Sequence, residues 1–102
     1  MSNFGLSESN IKIILEILRK YQLIEKVVIY GSRAKGNYKD GSDIDLVIFG
    51  DNLDNYLSKI SSDFDDSLLP YKIDLSIFSD INNESLRDHI KRVGKVFYKK
   101  AQ

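Results

Sequence analysis

Val27-Val28-Ile29-Tyr30-Gly31-Ser32-Arg33-Ala34, followed by Ser42-Asp43-Ile44-Asp45-Leu46-Val47-Ile48-Phe49, is the stretch whose reading decides the fold. Its first four residues are apolar and β-prone, so they read as a short buried strand, and Gly31-Ser32 breaks the run where a helix can begin. Glycine lets a backbone approach a ligand closely, and free N–H groups at a helix start favour phosphate. Ser32 adds a hydroxyl donor and Arg33 a fork of charged donors, so the turn can cradle a triphosphate. Taken alone, the same Gly-Ser pair serves equally as punctuation at a strand end.

The second segment narrows that choice. Period-two alternation sends Asp43 and Asp45 to one face of a strand and Ile44, Leu46 and Ile48 to the other. Two carboxylates at roughly 4 Å repel by about 4 kcal/mol at an effective dielectric near 20, a large cost for a small domain. A divalent cation removes that cost, and hard oxygen ligands at short spacing suit Mg²⁺ or Mn²⁺. Farther on, Tyr71-Lys72-Ile73-Asp74-Leu75-Ser76-Ile77-Phe78 puts Ile73, Leu75 and Ile77 on one face and Lys72, Asp74 and Ser76 on the other. Pairing of this strand beside the Asp43/Asp45 strand brings a third carboxylate to the same place, able to hold or deprotonate an attacking hydroxyl.

With these residues in place, Gly31-Ser32-Arg33-Ala34-Lys35-Gly36, Ser42-Asp43-Ile44-Asp45-Leu46 and Asp74 together resemble the minimal nucleotidyltransferases of the DNA polymerase β superfamily. Leu69-Pro70-Tyr71-Lys72-Ile73-Asp74-Leu75 and the tail through Val93-Gly94-Lys95-Val96-Phe97-Tyr98 are similar to the small stand-alone members that accompany a helical protein of the HEPN class. The resemblance implies an α+β fold, a small mixed β-sheet flanked by helices. It implies a nucleotide site at Gly31, Ser32, Arg33 and Ser42, and two Mg²⁺ ions held by Asp43, Asp45 and Asp74, which are also the catalytic residues. It further implies transfer of AMP, or another nucleoside monophosphate, from ATP or a related triphosphate to a tyrosine hydroxyl of a HEPN-type toxin, the chain acting as antitoxin within a hetero-oligomer. A contact-only antitoxin or adaptor is the competing reading, as is a nucleotidyltransferase for a small molecule or an RNA end.

Composition sets the bounds. The 102 residues are read as a single nucleotidyltransferase domain over 1–102, large enough for one core and too small for an added substrate-binding domain. Fifteen basic and fifteen acidic residues cancel, so no global field draws in nucleic acid, although Arg33, Lys35 and Lys39 gather positive charge beside the Gly-Ser turn. The absence of cysteine excludes disulfides and cysteine metal sites and fits the cytoplasm. No apolar stretch reaches the length of a membrane span, and Met1-Ser2-Asn3-Phe4 lacks the regions of a signal peptide.

The remaining pattern predicts four helical segments and four strands. Ser7 or Ser9 caps a first helix running to about Leu23, with Ile11, Ile14, Leu15 and Leu18 on its buried face. Arg33 begins a short helix or turn followed by a polar loop to Ser42. Leu53, Leu57, Ile60 and Phe64 mark one helix closed by Pro70. Asn82, Asn83 or Ser79 caps a last helix ended by Gly94, and Val96-Phe97-Tyr98 adds an edge strand. His89 reads as a boundary residue, and Tyr38 stands in the polar loop where it can reach a base.

Overall fold

In the computed structural model, residues 4–101 are described; Met1, Ser2 and Asn3, read above for the lack of a leader, lie outside them. Strands β1 (Lys26–Tyr30), β2 (Ile44–Phe49), β3 (Ile73–Ile77) and β4 (Lys95–Lys99) form one sheet in the order β3-β2-β1-β4. β1 pairs antiparallel with both β2 and β4, whereas β2 and β3 run parallel. A parallel neighbour cannot be reached by a tight turn, so the chain crosses over between them through helix α3 (Leu57–Asp65).

That crossover packs on the same face of the sheet as helix α1 (Glu8–Arg19). Ile14 and Leu18 of α1, Ile60 and Phe64 of α3, and Val27, Ile29, Ile44, Leu46, Ile48 and Ile77 of the strands close into one buried cluster. Even-numbered residues of β2 and odd-numbered residues of β3 thus face the core, as alternation requires. The opposite face is covered only in part, by helix α4 (Glu84–Val93), whose Ile90 meets Val28, Tyr30 and Val47. Arg87 ties α4 to the end of β3 by donating to the carbonyls of Phe78 at 3.0 Å and Ile81 at 2.9 Å.

Ser7 and Asn83 are the caps of α1 and α4, accepting from the backbone N–H groups of Asn10 and Leu86. Several boundaries differ from the sequence reading, among them the end of α3 at Asp65, five residues before Pro70, and the start of β2 at Ile44. α1 ends at Arg19 and not near Leu23, because Lys20 and Tyr21 turn tightly back onto the carbonyls of Ile17 and Leu18, and Leu23 is exposed. The stripe from Leu53 to Phe64 is not one helix: Leu53–Asn55 form a 3-10 turn, entered through a left-handed Asn52, before α3 begins. Leu53, Ile60 and Phe64 still reach the same core. Among the described residues no helix is long and apolar enough to cross a membrane.

Gly94 joins α4 to β4 where a side chain would press on the Ile90 carbonyl and lie 2.6 Å from a Val28 methyl. Gly94→Ala is therefore expected to cost about 1–3 kcal/mol by overpacking, read as a lower urea midpoint at unchanged m-value.

Candidate active site

Three strand ends meet on the face that α4 leaves open. In the β1–β2 register Tyr30 stands opposite Asp45, and in the β2–β3 register Asp45 stands opposite Asp74. Asp43, which the sequence reading put in the strand, lies in the loop just before β2, near enough for its charge to act on Asp45. Asp43 and Asp74 are exposed and Asp45 is half-buried, so the carboxylates are open to a ligand. Ser76, two residues beyond Asp74, lies on the same face and near enough across the middle strand to act on the Tyr30 hydroxyl.

The electrostatics follow from this crowding. Burial raises the Asp45 carboxyl above its ordinary value, and the negative charges of Asp74 and then Asp43 push it the same way. Burial likewise raises the Tyr30 hydroxyl; the nearby Ser76 side chain opposes this and the Asp74 and Asp45 charges reinforce it. Among the described residues no three carboxylate, histidine or cysteine groups converge closely enough to hold a metal ion by themselves. The donor chemistry nonetheless fits a hard cation. Mg²⁺ characteristically takes one or two carboxylates and completes its shell with water and substrate phosphates.

β1 runs directly into helix α2 (Gly31–Lys35). Gly31 has φ 74°, and any side chain there would strike the Asp45 carboxylate, so the turn needs glycine both for its conformation and for its clearance. Ser32 follows at the start of α2, half-exposed, and its carbonyl accepts from Gly36 and Asn37. The turn and the paired carboxylates are therefore in direct contact.

Arg33, expected on the phosphates, is instead turned inward and is only 2% exposed. Its guanidinium donates to the Ser42 carbonyl at 2.8 and 3.2 Å and to the Phe4 carbonyl at 2.8 Å, between the rings of Tyr38 and Tyr71. Ser42 is equally occupied: its hydroxyl accepts from the Lys39 backbone. The two residues fasten the loop that delivers Asp43. Tyr38, which the sequence leaves free to contact a base, packs on Arg33 and against Gly5.

Tyr30, Ser76 and His89 were not singled out as site residues by the sequence. His89 of α4 meets the Tyr30 ring edge-on at 6.5 Å. The period-two phase of β1 places Tyr30 on the Asp45 face once the pairing is known; His89 has no comparable signal.

A Gly-Ser turn after one strand, Asp-x-Asp on the next and a third aspartate on a parallel neighbour define a nucleotidyltransferase domain. The chain belongs to the family described as Polymerase beta, Nucleotidyltransferase, whose family model matches residues 12–102. Nucleotidyltransferases of this family generally use divalent metal ions. The chain is similar to the probable protein adenylyltransferase MntA of Haemophilus influenzae, with 29% identity over 103 residues, covering 99% of this chain and 90% of that protein. Among solved structures it is similar to a chain of a toxin–antitoxin complex with AMP-PNP, at TM-score 0.73 and 22% identity, covering 89% of this chain and 74% of that one. A chain from the complex of tri-AMPylated Shewanella oneidensis HEPN toxin with MNT antitoxin matches at TM-score 0.62 and 20% identity, over 93% and 74%.

Two predictions come from this geometry. Because the folded Asp45 carboxyl titrates above its ordinary value of 3.8, the folded chain keeps a proton that the unfolded chain has already released, and stability falls as pH rises through that window. Without metal, Asp45→Asn should therefore melt higher than wild type near pH 7 and lose that advantage below the ordinary value, as followed by thermal melts across pH. Arg33→Ala removes three guanidinium hydrogen bonds from a buried position and is expected to cost about 3 kcal/mol in urea denaturation, with Arg33→Lys also destabilised because an ammonium cannot reproduce the planar fork.

Proposed function

We propose that the chain, acting as one nucleotidyltransferase domain in the cytoplasm, transfers AMP from ATP to a hydroxyl of a HEPN-type helical protein and thereby restrains that partner as its antitoxin. The observation that carries the reading is the in-register pair Asp45–Asp74 beside the glycine turn at Gly31. The MntA likeness supports protein adenylylation, and the fold shared with MNT antitoxin chains supports a HEPN-type partner in a hetero-oligomer.

In this reading the triphosphate lies along Gly31 and Ser32, where the missing side chain opens the backbone and the Ser32 hydroxyl donates to phosphate oxygen. Asp43, Asp45 and Asp74, together with water and the substrate phosphates, would hold two Mg²⁺ ions, for which Mn²⁺ could substitute. When bound, the ions supply charge neutralisation for the phosphates and for the oxygen that attacks. Asp74, exposed at the outer strand, receives the acceptor hydroxyl and takes its proton. The hydroxyl oxygen bonds to the α-phosphorus, the bond to the β-phosphate oxygen breaks, and pyrophosphate leaves on the Gly31 side. Arg33 and Ser42 fix the loop, so that Asp43 arrives already oriented and little reorganisation remains for the transition state.

Asp74→Asn is expected to leave ATP binding within a few fold while slowing AMP transfer to a co-purified partner by about 10² or more, followed by intact-mass spectrometry. Complex formation with no added mass from the wild type would favour the contact-only antitoxin. Transfer by Asp74→Asn near the wild-type rate would remove Asp74 from the chemistry.

A further inference from the structure

The two edges of the sheet are finished differently. β4 carries Lys95 and Lys99 at its ends, and its pairing with β1 slips in register between Val27 and Val28. Lysines and bulges are the usual means of keeping an edge from pairing with another chain. β3 is plainer: a single lysine, Lys72, stands just before it, Ile73-Asp74-Leu75-Ser76-Ile77 contains no lysine or proline, and its register with β2 is unbroken.

The direction of its free backbone groups follows from that register. Ile44 donates to the Lys72 carbonyl at 2.9 Å, and Ile44 stands opposite Ile73. In a parallel pair this turns the backbone groups of residues 72, 74 and 76 towards β2 and those of Ile73 and Leu75 outward. No turn, loop or cap hydrogen bond among the described residues engages the backbone of Ile73 or Leu75. Asp74 thus lies between two outward-facing residues, at a position where an added antiparallel strand would make a non-hydrogen-bonded pair. Such pairs bring side chains closest, with Cα atoms about 4.5 Å apart.

We propose that the outer edge of β3 binds an extended segment of the acceptor protein as an added antiparallel strand, with a hydroxyl residue opposite Asp74. This rests on the reading above that the acceptor is a protein hydroxyl. The main chain of Ile73 and Leu75 supplies the affinity, and alternation supplies the specificity. The residue opposite Asp74 falls on the carboxylate face. Its two neighbours fall on the other face, beside the half-buried side chains of Ile73 and Leu75, and are apolar. The recognised pattern is therefore apolar–hydroxyl–apolar in an extended conformation, and the open β3 edge is what aligns the attacking oxygen with the site.

The test uses the full chain with ATP, Mg²⁺ and a synthetic peptide, acetyl-Lys-Thr-Val-Tyr-Val-Thr-Lys-amide, at several millimolar. Its control is the same peptide N-methylated on the two valines. Hydrogen exchange at the Leu75 amide, fast in the free chain, should slow at least tenfold with the parent peptide and stay unchanged with the control. Leu75→Pro removes the leucine side chain and, of the backbone hydrogen-bonding groups, only an outward donor, and Leu75→Ala removes the side chain while keeping that donor. The proline variant should transfer AMP to the peptide at least tenfold more slowly than the alanine variant while binding ATP equally. If the proline variant does not fold, the exchange measurement on wild type decides. Unchanged Leu75 exchange overturns the docking, whether or not AMP is added. Protection without AMP on the tyrosine leaves the docking standing and counts instead against the protein-hydroxyl reading.

Discussion

The parallel pairing of β2 with β3 is the constraint on which the rest of the molecule depends. It aligns Asp45 with Asp74, and it forces the connection between the strands to travel across one face of the sheet. That connection carries α3, which with α1 buries the isoleucines and leucines of one face in a dry cluster. The carboxylates alternate with those apolar residues, so burying one set exposes the other. Core and site are therefore two consequences of one register. A slip by one residue would put aspartates into the core and isoleucines into the site.

Concentrating negative charge at the strand ends is costly, and the structure shows where the cost falls. Asp45 bears it, being the middle carboxylate and the least exposed. Gly31 leaves room for the carboxylate where any side chain would collide with it, and Arg33 fastens the loop before Asp43. In the proposed function these fixed contacts would leave little reorganisation on binding a cation and a polyphosphate, as electrostatic preorganisation requires. Arg33 spends its charge on carbonyls and two tyrosine rings.

The placement of the site at a sheet edge also distinguishes the two sides of the molecule. Lysine gathers at the far end of β1 and β2, where Lys26, Lys99 and Lys100 line an open cleft of about 510 Å³ with Glu25 and Phe49. The carboxylates occupy the other end, beside the turn into α2.

Much of this was legible in the sequence because it is local. Period-two alternation gave the face of Asp45 and Asp74, Gly31 marked the turn, and Ser7, Asn83 and Gly94 marked helix ends, all within a few residues of their cause. The break between Leu53 and Leu57 and the early end of α1 were missed because helix periodicity tolerates a short turn without losing its phase. What no local pattern carries is the partner of a side chain distant in sequence. An arginine after Gly-Ser is charged and reads as a phosphate ligand, yet folding brings the Phe4 and Ser42 carbonyls and two tyrosine rings around it, and three hydrogen bonds in a dry pocket outweigh exposure to solvent. The sequence by itself determined which residues can carry the chemistry and which face each one takes. Only the tertiary structure decided which of them meet, because strand order and register are set by the packing of the whole core.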